Sequence, residues 1–336
     1  MKKVASYILF LGIAALLLYF SFREIKWADF WYHVQAANYG WIGLSMVCGA
    51  FAFWIRAMRW RLLIRGAGHQ VSRGGAFDAV NIAYITNFAF PRAGEVARCG
   101  VLAQKGGAPF DALLGTVVLE RTFDTFCLLV ITALVIALQW SVFGVFMEQQ
   151  LWNPMMATLN EKTVYLVAIL LVLSALFALI VVYRKRLQKI VVLKKIFDLA
   201  IGIYNGLKSG FTMRQKAPFL GYTVVLWFLY WATCWCTIMA FPTAAYLNPL
   251  DAVFLMVVGS LGWVVPVQGG IGAYHFILSL ALTSVYGISQ TQGLVFATIS
   301  HESQALTMIL FGLFSMLRLF TRRKSDQIGK DGEKVI

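Results

Sequence analysis

The residues of this 336-residue chain that could do chemistry are charged groups inside long apolar segments. Glu120, Arg121 and Asp124 interrupt the stretch 112–138, with Glu120 and Asp124 spaced to share one helical face. Arg92, Glu95 and Arg98 surround a Pro-x-x-Gly break, and His301 and Glu302 interrupt the last apolar stretch. His275 follows a second break, rich in glycine at Gly269, Gly270 and Gly272. Two chemistries are open. In one, Glu120, Arg121, Asp124 and Arg92 form a structural ion-pair network that pins a hairpin tip to its neighbouring helix. In the other, Arg92, Arg98 and Arg121 contact an anionic head group, since a guanidinium can bind a phosphate through two hydrogen bonds. Glu95 and Glu302 would then handle a proton or a cationic group. His275 reads first as a buried polar contact, with proton coupling as its functional role.

The elements that must position these residues are set by composition. Apolar residues make up 60% of the chain and charged residues only 13%, and apolar segments of spanning length recur throughout. A helix needs roughly 20 apolar residues to cross about 30 Å of hydrocarbon. Full spans are expected near 4–22, 41–60, 112–138, 163–183, 218–240 and 293–317. Two longer regions, 75–105 and 250–286, are broken in their middles by Pro and Gly and read as helical hairpins. The expectation is an all-α polytopic membrane protein with about six spans and two broken hairpins. Lys2 and Lys3 precede the first span, which is too long for a signal peptide and lacks a small-x-small cleavage site before Phe22-Arg23, so a retained anchor is expected.

The net charge of +14 would suggest nucleic acid in a soluble protein, but here the positive residues are confined to particular loops and set topology instead. Arg56, Arg59, Arg61, Arg65 and Arg73 cluster at and after the end of the second span. A second basic loop runs from Arg184 to Lys216, and a basic tail begins at Arg318. Residues 122–161 and 217–317 contain no Lys or Arg. Threading the spans through these assignments places both termini in the cytoplasm. It also makes the two hairpins enter from opposite faces, so units 41–138 and 218–317 form an inverted repeat. Asp78-Ala79-Val80 before Pro91-x-x-Gly94 and Asp251-Ala252-Val253 before Pro266-x-x-Gly269 agree with it. Paired broken helices in two halves point to a binding site at membrane depth. The first tip offers free N–H groups and a positive dipole end to an anion, with Gly94 permitting the turn.

Catalytic alternatives find little support. Cys48, Cys99, Cys127, Cys234 and Cys236 lie in or beside apolar segments without a second ligand pair, and His33, His69, His275 and His301 show no metal spacing. No Gly-Lys-Ser/Thr loop is present, so neither ATP nor another cofactor is expected. Trp27, Trp31, Tyr32, Trp152 and Trp263 suit interfacial or cavity positions.

The run Pro91-Arg92-Ala93-Gly94-Glu95-Val96-Ala97-Arg98, the run Glu120-Arg121-Thr122-Phe123-Asp124, and Pro266 with Gly269-Gly270-Ile271-Gly272 resemble the transmembrane domain family of lysylphosphatidylglycerol synthases, which also occurs as stand-alone flippase-like proteins. The resemblance reaches from the first span to about Leu317. It implies a multi-pass inner-membrane protein that moves an anionic or aminoacylated phospholipid between leaflets. Two departures stand out: the family pattern has a Glu where this chain has His275, and only the short tail Arg318–Ile336 follows the membrane part, so aminoacyl transfer is not expected. The partner is a membrane phospholipid rather than nucleic acid, and a homo-oligomer is left open. Two other readings remain: a non-transporting scaffold for lipid or envelope synthesis, and an intramembrane lipid-modifying enzyme using Glu95 or Glu302 as base.

Overall fold

The computed structural model describes residues 2–23, 25–104, 108–140, 215–265 and 267–333, with isolated positions between 144 and 156. Ten helices and no strand occur among the described residues. They are α1 (Lys2–Phe22), α2 (Trp27–Ala36), α3 (Tyr39–Gly66), α4 (Arg73–Ala89), α5 (Gly94–Gln104), α6 (Phe110–Leu138), α7 (Lys216–Ala240), α8 (Pro249–Val264), α9 (Ala273–Tyr286) and α10 (Gln290–Glu333). The expected span at 163–183, the basic residues 184–214 and Pro266 lie outside the described residues.

At 1.5 Å per residue, the 28 residues of α3, 29 of α6, 25 of α7 and the apolar part of α10, Gln290–Thr321, are each long enough to cross a bilayer. Their outer faces carry exposed Phe51, Leu129, Val224, Phe228 and Phe314, an apolar surface suited to lipid. The chain is an all-α, multi-pass membrane protein.

Both expected hairpins form. In the first, α4 ends before Phe90 and the chain turns through Pro91 and Arg92 into α5. The turn takes its left-handed residue from Arg92, at φ 61°, and not from Gly94. Gly94 is needed for space: a Cβ there would collide with the Ala83 carbonyl of α4, so the two half-helices could not close. Asn87 Oδ1 accepts from the Gly94 amide at 2.8 Å, satisfying one free donor at the start of α5.

In the second hairpin, α8 begins with a capping box between Asn248 and Asp251 and with Pro249 in its first turn. It ends at Val264, and a single 3-10 turn, Gln268–Gly270, leads to α9. Gly269 at φ 56° and Gly272 at φ 82° hold conformations that residues with a Cβ adopt only with strain.

The same order of elements, helix, broken hairpin, helix, occurs in α3–α6 and in α7–α10. α3 packs along α7, α10 lies against both α4 and α9, and α6 touches both α5 and α8. Two large apolar cores among the described residues fill the space between them. One joins Phe53, Trp60, Leu63 and Phe77 to Leu113 and Phe219. The other joins Ile42, Ile238 and Phe254 to Leu278, Leu294 and Phe296.

Two sequence expectations change. The second span does not end near residue 60: α3 continues to Gly66 and takes Arg56 and Arg59 with it, at 6% and 0% exposure. They are interior groups of α3 rather than loop residues. A short helix, α2, was not expected. It buries Phe30 and exposes Trp27, Trp31 and Tyr32.

Candidate functional site

The first cluster of charges sits where α3, α5 and α6 meet. Arg56 and Arg59 lie one turn apart on α3 and face Glu120 and Asp124, which are one turn apart on α6. Arg56 Nε lies 2.9 Å from Glu120 Oε1, and its Nη2 donates to Asp124 Oδ2 at 2.7 Å. Arg59 Nη2 is 2.5 Å from Asp124 Oδ1 and 3.3 Å from Glu120 Oε1. Arg98, from α5, reaches the other oxygen of Glu120 at 2.8 Å and stacks over the Trp60 ring at 4.6 Å. Tyr230 of α7 accepts from Arg56 Nη1 at 2.9 Å, so the second half of the chain also touches the network.

Arg121 stands at the edge. Its side chain is 44% exposed, and its contacts, 3.5 Å to Glu95 and 3.9 Å to Asp124, are longer than those inside. Four guanidinium groups therefore share three carboxylates, which leaves one positive charge in excess. Among the described residues, buried nitrogens of the same arginines, Arg59 Nε and Arg98 Nε and Nη2, have no hydrogen-bond partner. The surplus guanidinium charge, with Arg121 at its exposed edge, favours an anion with several acceptor oxygens.

Arg92 is not part of this network. It is exposed at the tip of the first hairpin, and its Nη2 donates to the Val264 carbonyl at 3.1 Å, at the end of α8. A cation there satisfies a carbonyl left free by helix termination and meets the negative end of the helix dipole. Phe88 of α4 packs beside Gly269, where a Cβ would lie 2.6 Å from its ring. The two hairpin tips thus touch.

The second cluster joins α9 to α10. His275 and His301 have ring centroids 4.9 Å apart, and Trp263 stacks on His301 at 5.2 Å. His301 Nδ1 lies 2.9 Å from Glu302 Oε1, while its Nε2 contacts the Gly269 carbonyl at 2.8 Å. His275 Nε2 is 3.7 Å from the same Glu302 oxygen. Gly270 and Gly272 shape the turn beneath and contribute no side chain.

The expected residues therefore separate into two groups. Glu95, Arg98, Glu120, Arg121 and Asp124 come together; Gly269, His275, His301 and Glu302 come together; Arg92 bridges the tips. Glu120 and Asp124 stand in ion pairs with Arg121 at their edge, whereas Arg92 takes no part in them and is pointed by the turn toward α8. Arg98 faces Glu120 in the interior and is only 1% exposed, so as the protein stands a head group does not reach it directly. Sequence reasoning missed Arg56 and Arg59. Their i, i+3 spacing, shared with the i, i+4 spacing of Glu120 and Asp124, is the signal that pairs the two helices. It also read the histidines as scattered, whereas folding brings His275 and His301 side by side.

Residues 7–312, which contain both clusters, match the family model described as the lysylphosphatidylglycerol synthase TM region. No curated protein and no solved structure matches the chain.

Proposed function

As this chain belongs to the lysylphosphatidylglycerol synthase TM-region family, we propose that it is a lipid flippase, moving a phospholipid with an anionic or aminoacylated head group between leaflets of the bacterial inner membrane. The observation that carries this reading is the excess guanidinium charge beside the first hairpin, with its exposed end at Arg121. A phosphate arriving there would compete with Glu95 for Arg121. The two contacts are loose enough to exchange, and the buried arginines behind them keep the local potential positive.

The inverted-repeat reading belongs to the same proposal. Units 41–138 and 218–317 would rock about the contact between α3 and α7, exposing the head group to one side and then the other while acyl chains stay in lipid. Broken backbone at this depth suits such a cavity, because its amides need partners that lipid does not provide. Both termini would face the cytoplasm, the basic end of α10 among the residues there.

The test is reconstitution in liposomes with fluorescent phosphatidylglycerol, read by quenching of the outer leaflet. Movement by the natural chain, with its loss in Arg121→Ala at unchanged thermal stability, supports the proposal. Movement retained in Arg121→Ala removes the site assignment. Absence of movement for every anionic and aminoacylated lipid tested removes the flippase reading and favours a scaffold.

A further inference from the structure

We propose that His275, His301 and Glu302 form a binding site for a divalent transition cation of the zinc class, joining the second hairpin to α10. The proposal does not rest on lipid movement. Each residue offers one ligand atom, and the three atoms lie within 4.8 Å of one another. Two imidazoles and a carboxylate are a donor set suited to zinc, and a tetrahedral ion with bonds of about 2.1 Å holds its donors about 3.4 Å apart. The separations to Glu302 Oε1, 2.9 Å from His301 and 3.7 Å from His275, bracket that value.

The hydrogen-bond inventory calls for a positive charge at this point. The Gly269 carbonyl can only accept, so His301 Nε2, 2.8 Å away, carries a hydrogen. In a neutral ring Nδ1 then presents a lone pair, and it faces a carboxylate oxygen at 2.9 Å. Two acceptors do not approach so closely unless a proton or a cation lies between them. The Gly269 carbonyl is also the kind of partner that orients a ligating histidine from behind. Trp263 and Tyr274, with centroids 5.2 Å and 5.5 Å from the His301 ring, hold that ring in place.

His275 supplies the second observation. It is 2% exposed, and its Nε2 faces Glu302 Oε1 from 3.7 Å, beyond hydrogen-bonding distance. Among the described residues, no group hydrogen-bonds this nitrogen. The Glu302 side chain is 56% exposed, which leaves a fourth coordination position open for exchange. A hard cation such as Mg²⁺ prefers oxygen ligands and an octahedral shell, so imidazoles argue against it.

The test uses the full chain in detergent, without a polyhistidine tag and stripped by chelator. Zn²⁺ binding is measured by calorimetry, and Co²⁺ is titrated as a spectroscopic substitute. One equivalent of Zn²⁺ per chain, visible Co²⁺ bands of a four- or five-coordinate site, no competition by Mg²⁺, and weakening by about tenfold or more in Glu302→Gln and His275→Gln are expected. Glu302→Gln alters an exposed group and decides the matter if His275→Gln does not fold. Absence of saturable Zn²⁺ binding overturns the proposal and assigns a proton to the His301–Glu302 contact. Binding that both folded variants retain overturns it by placing the ion elsewhere.

Discussion

Asp78 and Asp251 stand in the first helices of the two hairpins, and each ties its hairpin to the helix that closes the other half. Arg318 of α10 reaches Asp78 at 3.1 Å, and Gln139, at the end of α6, donates to Asp251 at 2.8 Å. Tyr286 also donates to Asp251, at 3.0 Å, while the second oxygen caps the Asn248 amide. Each aspartate of the paired Asp-Ala-Val fragments thus reaches a helix outside its own hairpin, which gives the fragments a physical role.

Asp251→Ala therefore removes a helix cap and strands two donors, the buried Gln139 and the half-buried Tyr286. Losses of about 1 kcal/mol for the cap and about 1–3 kcal/mol for the orphaned partners are expected. Asp251→Asn, which keeps an acceptor oxygen, should lose less. Thermal unfolding in detergent checks the order, and equal losses would refute the hydrogen-bonding account.

Glu120→Gln leaves Arg56, Arg59 and Arg98 with one carboxylate fewer in the interior. Breaking a buried ion pair from one side costs about 3–5 kcal/mol. Arg98→Met in the same chain removes one of the stranded charges, so the double variant should be more stable than Glu120→Gln alone. If the two losses simply add, the residues do not act as one network.

Gly94→Ala should prevent closure of the first hairpin, because the added methyl meets the Ala83 carbonyl of the facing half-helix. Gly100, in the same helix α5, has open space among the described residues where a Cβ would stand and serves as control. Folded yield after purification distinguishes them: a Gly94→Ala protein that purifies like Gly100→Ala would show that the half-helices can separate.

Arg92→Gly keeps the left-handed turn without its usual cost of about 1–2 kcal/mol for a residue with a Cβ, and deletes the bond to the Val264 carbonyl. Stability should change little, whereas lipid movement should fall if the tips must stay coupled. Movement at the natural rate in Arg92→Gly would show that this contact between tips is dispensable.

The spans and breaks were legible because they depend on local properties. Apolar runs long enough for hydrocarbon predict α1, α3, α6, α7 and α10, and Pro or Gly in a long apolar run predicts the two hairpins. Reading failed where one residue type serves two physical purposes. Arg56 and Arg59 look like the positive residues that hold a loop in the cytoplasm, and only the partner carboxylates on α6 identify them as interior groups. Gly94 looks like a turn glycine, yet Arg92 makes the turn and Gly94 provides clearance for α4.

By itself, the sequence determined that this chain is a helical membrane protein with two interrupted helices and charges in its apolar part, since hydrophobic length and backbone breaks act within a segment. Tertiary structure alone decided which charges meet: Glu120 with three arginines from two helices, Arg92 with a carbonyl of the other hairpin, and His275 with His301 and Glu302. Electrostatic and hydrogen-bond energies fall steeply with distance, and those distances are set by helix packing between segments far apart in the chain.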